Sequence, residues 1–428
     1  GFNQVLNQVA FHPDLPGVGG INILPEGLDA LGQYRHREEE GGHKNEVYQQ
    51  RREQLGEDDR SLGNSPVARD LQGQALPFSF LASSLFDASP EAAAAAPVAP
   101  GVEVKVLPNE KITFDGIAYI AGHGGHLAII DMRTMKPPVD IEKDRIVLTE
   151  AGSEMEGKIA GMSFEQVKKA GGSHGQSIVE EGGQKVLVAG TLNGDVYKVN
   201  LATGKKEGPF KVGEKFCGAI VGPDGKVYFE DMADGNVYVW DSKTLKTVDK
   251  MPVGKAVCGI QWTKNGKKAY ITDMPSGIVY VYDWTKKKEI KQITSPEMTF
   301  IHQDRMTPDG KYLWVSAPNE FGPGLSARTR HSQIIVINTK TDSIVKRIVL
   351  PDNIDPHDFA FTKDGKYAFL SSRTYGDDST LNVMDMKTDN IVETVSACKS
   401  CHQPNGVEVK IDKGSPLLCG IEIDWHNK

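Results

Sequence analysis

From about residue 110 onward, runs of alternating apolar and polar positions are separated by short polar turns, and the pattern recurs every 40 to 50 residues. Alternation at period two marks half-buried strands. One marker is a tight turn leading into a strand, in "GPDGKVYFEDM" (222–232), "KNGKKAYITDM" (264–274), "TPDGKYLWVSA" (307–317) and "TKDGKYAFLSS" (362–372). The Asp-Gly and Asn-Gly pairs supply the positive backbone angles of a hairpin. A second marker, an apolar strand ending in Asp or Asn, follows in "GHLAIIDMRT", "GDVYKVNLAT", "GNVYVWDSKT", "GIVYVYDWTK", "SQIIVINTKT" and "STLNVMDMKT". A repeat of this length holding several short strands predicts an all-β fold, a β-propeller.

The third marker opens each innermost strand, at His174, Cys217, Cys258, His302, His357 and Asn405. With a further inner pair in "EKITFDGIAYIAG" (110–122), the count predicts seven blades, with six as the alternative. The last blade has only "NGVEVKI" and "LLCGIEIDW" before the chain stops. A segment before residue 110, "GVEVKVLP", is therefore expected to complete it, so that both chain ends close the ring and no sheet edge is left exposed.

Residues 1–101 read as a different module from the propeller at 102–428. The first hundred residues hold 14 Asp/Glu against 7 Lys/Arg and a single lysine, Lys44, so most of the net charge of -8 lies there. "YRHREEEGGHKNEVYQQRREQLGEDDR" offers little apolar face, and "ASPEAAAAAPVAPG" (88–101) reads as a Pro/Ala spacer. The expectation is an acidic arm, extended or partly helical, that clasps its own propeller or a partner. An acidic chain without clustered basic and aromatic stretches argues against nucleic acid. No apolar run approaches the roughly 18 residues that cross a bilayer. The chain starts at Gly1 without Met, and the expectation is that a signal peptide has been removed.

The chemistry concentrates in "SACKSCHQPNG" (396–406). Cys398, Cys401 and His402 form Cys-x-x-Cys-His, in which two thioethers and an axial imidazole fix one covalent c-type haem. A disulfide or a zinc half-site is the alternative, but there is no second Cys pair to finish a zinc site. Only 26 residues follow His402, so the propeller or a partner must shield the haem.

His174, Cys217, Cys258, His302 and His357 occupy equivalent positions in successive blades and are expected to converge at one channel mouth, on the face that carries the haem. His357 and His302 are the leading candidates for the sixth ligand, since "DPHDF" and "IHQDR" place an Asp nearby to orient the imidazole. With His402 and His174 they form the expected metal-ligand set, and the ring could take an additional metal ion. Cys217 and Cys258 read as buried thiols or as a disulfide between neighbouring blades. His123 and His126 sit in the Gly-rich "AGHGGHLAII", His331 lies in a blade-five insertion, and Cys419 reads as an inert leftover thiol. There is no Gly-rich nucleotide loop, nucleophile elbow or His-Glu-x-x-His, which sets hydrolysis and phosphoryl transfer aside.

The repeats "HDFAFTKDGKYAFLSS" and "LNVMDMKTDNIVETV" resemble the periplasmic seven-bladed propellers that include Tyr-Val-Thr-Asn repeat proteins, amine dehydrogenase heavy chains, haem-d nitrite reductases and hydrazine synthase propeller subunits. The resemblance covers residues 110 to 425 and implies architecture; function has to come from the site. Taken with the Cys398, Cys401 and His402 motif, it leads to the expectation of a periplasmic, haem c-bearing redox subunit of an oxidoreductase acting on a small nitrogen, amine or sulfur compound. Its partners would be other subunits or a soluble cytochrome. Related propellers such as nitrous oxide and thiocyanate oxidoreductases suggest an alternative, a copper-type enzyme using the His ring. The remaining alternative is a non-catalytic scaffold.

Overall fold

A computed structural model of the chain describes residues 101–107, 112–122, 125–136, 145–149, 171–298, 300–318, 332–351, 354–373, 379–397 and 418–426. The chain divides into two units, Gly1–Ser89 and Pro90–Lys428, and every described residue belongs to the second. Residues 1–100 of the arm, His123, His331 and the motif residues Cys398, Cys401 and His402 lie outside the described residues.

The described residues are all β and fold as a β-propeller of six sheets. The second blade runs outward through Ser173–Glu181, Gln184–Thr191, Asp195–Asn200 and Lys206–Lys211, and the third through Phe216–Val221, Val227–Asp231, Asn236–Asp241 and Lys246–Pro252. The fourth follows through Val257–Trp262, Lys268–Asp273, Ile278–Asp283 and Lys288–Ile293. The fifth uses Asp304–Met306, Tyr312–Ala317, Gln333–Asn338 and Ser343–Val349, and the sixth Asp355–Phe361, Tyr367–Arg373, Thr380–Asp385 and Asn390–Ser396. Neighbouring strands in each are antiparallel, as short hairpin turns require.

The first blade closes the ring. Its innermost strand is the C-terminal Leu418–Trp425, followed outward by Gly116–Gly122, His126–Asp131 and Arg145–Val147, with Gly116 opposite Trp425 and Ile120 opposite Ile421. Two strands counted from the sequence as inner strands of separate blades therefore share one sheet, and the count among the described residues is six. "NGVEVKI" lies outside the described residues. "GVEVKVLP" does not complete the last blade: Gly101–Glu103 lies parallel on Ser343–Val349 at the outer edge of the fifth, and Val106 bridges to Ile391 of the sixth. The ring is sealed instead by the pairing of Leu418–Trp425 with Gly116–Gly122.

Apolar residues of each blade face pack against the next. Val188 and Val196 of the second blade meet Phe216, Phe229 and Trp240 of the third in one buried cluster, with Phe216 stacked on Phe229 at 4.7 Å. Each fully buried side chain of this size contributes roughly 1.5–3 kcal/mol. Exposure rises outward, so that Val227–Asp231 is buried along its length while Lys246–Pro252 is almost wholly exposed. No helix among the described residues is long and apolar enough to cross a membrane.

Candidate functional site

Each innermost strand brings one His or Cys to the axis near its start: His174, Cys217, Cys258, His302, His357 and Cys419, one per blade. All six are at most 3% exposed. The first five are those aligned from the sequence. The sixth position belongs to Cys419 rather than Asn405, because the closing inner strand starts at Leu418. Cys419 is buried and outside the disulfide, as its apolar surroundings predict, but it lies in the ring beside His174 and His357 rather than apart from it.

The geometry is tight. The rings of His302 and His357 are 3.6 Å apart between centroids, and His174 stands 5.5 Å from the first and 5.1 Å from the second. Cys217 and Cys258 form a disulfide between the third and fourth blades across a Cα separation of 4.9 Å. Either Nδ1 or Nε2 of His302 lies within 3.4–3.8 Å of both sulfurs. Two sets bring their ligand atoms within 4.8 Å of one another: His174, Cys217 and His302, and His174, His357 and Cys419. Imidazole and thiol are donors for borderline and soft transition metals.

The ring is held by the neighbouring blades, a feature the sequence reading missed. Thr272 Oγ1 donates to the His302 carbonyl at 2.8 Å, Ser316 Oγ to that of His357 at 3.0 Å, and Ser371 Oγ to that of Cys419. His174 Nδ1 sits 2.5 Å from the Cys217 carbonyl, which can only accept, so Nδ1 carries a proton there. The signal was present in the aligned strands: Thr272, Ser316 and Ser371 occupy one position in "AYITDM", "YLWVSA" and "YAFLSS".

Glu230 holds the equivalent position in the third blade, opposite Gly218. It is 1% exposed, and burial pushes its pKa up to about 8. Protonated, it presents an O–H where its neighbours present hydroxyls. It lines, with Gln261, Gln303, Asp304 and Arg305, a cavity of about 10 Å³, enough for roughly one water. Arg305 donates to Asp358 at 2.8 Å and lies 3.8 Å from Glu422. Burial works against its charge, but those carboxylates outweigh it and hold the guanidinium protonated. Burial raises Asp304 well above the carboxylate range, with Glu230 adding to the shift, and lifts Glu422 to about 7.

Glu230 therefore makes stability pH-dependent. Its folded pKa exceeds its ordinary 4.5, so its contribution is complete below pH 4.5 and is lost as pH rises toward 8, by at most about 5 kcal/mol. The melting temperature of the wild type is expected to fall from pH 5.5 to 8, and Glu230→Gln, which keeps a neutral donor, to flatten that fall. Equal slopes in the two proteins would contradict the assignment.

His126 opens the third strand of the first blade. Compared with known proteins, residues 255–408 match the family described as "Cytochrome D1 heme domain". The match spans about a third of the chain and includes Cys258, His302, His357 and Cys398, Cys401 and His402. Among solved structures, a chain of Kuenenia stuttgartiensis hydrazine synthase is similar at 19% identity and a TM-score of 0.42, over 50% of this chain and 62% of that one. This chain thus spans less than two thirds of that neighbour. No curated protein matches.

Proposed function

We propose that the chain is a redox propeller that carries one covalent haem c and works as the electron-transfer part of an oxidoreductase acting on a small nitrogen, amine or sulfur compound. The observation that carries the reading is where Cys398-x-x-Cys401-His402 falls. It occupies the connection between Asn390–Ser396, the outer strand of the sixth blade, and Leu418–Trp425, whose Cys419 is a member of the axial ring. The donor set fits the group: two thiols three residues apart for thioether bonds, and the adjacent imidazole of His402 as axial ligand. Haem c would supply a one-electron couple.

The chain's own residues supply the surroundings. His302 and His357 are the candidate partners for the sixth position, with Thr272 and Ser316 fixing the backbone that carries them. The buried ring keeps bulk water away from the axis. The family described as a haem domain, matching over the same residues, supports a redox role. Thioether attachment and a disulfide between blades both suit an oxidising compartment, the periplasm. Other subunits or a soluble cytochrome would exchange the electrons, and the acidic arm at 1–101 would clasp one of them. The test is a covalent haem whose visible absorption is lost in Cys398→Ala/Cys401→Ala.

A second reading is favoured by the His174, His357 and Cys419 cluster: a copper-type oxidoreductase with a transition metal on the ring. Stoichiometric copper and no haem in the purified chain would replace the first reading with this one. Neither group would leave a scaffold.

A further inference from the structure

We propose that the Cys217–Cys258 disulfide is a redox gate over a second metal site, a tetrahedral set of Cys217, Cys258, His302 and His174 that binds a soft or borderline ion such as zinc only when the disulfide is reduced. The proposal does not rest on the haem, and its donors share only His174 with the His174, His357 and Cys419 cluster of the copper reading. An ion about 2.3 Å from a thiolate and about 2.1 Å from an imidazole nitrogen, at a tetrahedral angle, separates those two atoms by about 3.6 Å. His302 Nδ1 lies 3.4 Å from Cys258 Sγ and 3.7 Å from Cys217 Sγ, on either side of that value. The ligand atoms of His174, Cys217 and His302 lie within 4.8 Å of one another. His174 is already oriented as metal-binding imidazoles are, with Nδ1–H donating to a backbone carbonyl.

In the oxidised state the two sulfurs are bonded to each other and offer no thiolate. A dithiol reductant supplies two electrons and two protons, the S–S bond breaks to give two thiols, and the reductant leaves as its own disulfide. A divalent ion then displaces the two thiol protons and takes the two thiolates with the two imidazoles. The backbone positions need little change, because the two cysteines stand at the same register of adjacent inner strands.

The experiment uses the full chain carrying Cys398→Ala/Cys401→Ala, so that no haem absorbs and only Cys217, Cys258 and Cys419 remain of the five cysteines. Alkylation under denaturing conditions should count one thiol before treatment with a phosphine reductant and three after. Cobalt(II), added once the reductant is removed anaerobically, should give one equivalent of thiolate charge-transfer absorption and tetrahedral visible bands in the reduced protein alone. Cys217→Ser/Cys258→Ser should give none. If that variant does not fold, His302→Ala, which keeps the thiols, should weaken cobalt binding at least about tenfold. A thiol count that stays at one, no cobalt spectrum from the three-thiol protein, or the same spectrum in both redox states would overturn the proposal. None of these outcomes bears on the haem.

Discussion

Replacing Arg305 with Met is expected to destabilise the propeller by about 3–5 kcal/mol, the cost of leaving a buried charge without its partner. The Arg305 and Asp358 side chains are 15% and 2% exposed, so solvent screens the pair little. Asp358 also accepts from the backbone N–H of Ile421 at 3.0 Å, on the strand that closes the ring. Arg305 Nη2 reaches the Ile421 carbonyl at 3.2 Å, so one ion pair ties the fifth, sixth and first blades together. Without the guanidinium, Asp358 and Glu422 would face each other and Asp304 with no cation between them. Urea unfolding at pH 7 measures the loss. Arg305→Met/Asp358→Leu, which removes both charges, should lose less than the single variant; a single-variant cost below about 1 kcal/mol would show that the pair does not hold the closure.

Gly175→Ala is expected to cost about 3 kcal/mol or more, at the upper end for overpacking. A Cβ there would stand 2.5 Å from the Gly218 Cα, 2.7 Å from its carbonyl carbon and 2.8 Å from the Ala219 nitrogen. All three are backbone atoms, so no rotamer change relieves the clash and the second and third blades must separate. Gly182→Ala is the control: no atom lies within 4 Å of its Cβ, and the cost of its φ of +58° alone is about 1–2 kcal/mol. Thermal denaturation of both variants should separate them clearly. Similar losses would mean that the inner strands have more room at the axis than their spacing implies.

The strands, their order and five of the six ring residues were legible because each blade repeats a local pattern: a tight turn, alternating apolar residues, and a small or polar residue where strands crowd the axis. The disulfide was legible as an alternative, since Cys217 and Cys258 hold equivalent positions one repeat apart. The blade count was not fixed, because closure pairs Gly116–Gly122 with Leu418–Trp425, some 300 residues on, and local patterning carries no register over that distance. The same gap placed Asn405 where Cys419 stands. Glu230 read as an ordinary strand residue, and only its alignment with Thr272, Ser316 and Ser371 in three dimensions shows why an acid is tolerated there. Arg305 gave no sequence signal, since its partner Asp358 comes from the next blade.

The central claim is that haem c is bound through Cys398, Cys401 and His402, and its most direct test is the reduced spectrum of the denatured protein in alkaline pyridine, taken with the intact mass. The account predicts a c-type haemochrome band and the added mass of one haem, both absent from Cys398→Ala/Cys401→Ala. A colourless protein with unmodified Cys398 and Cys401 masses would contradict it.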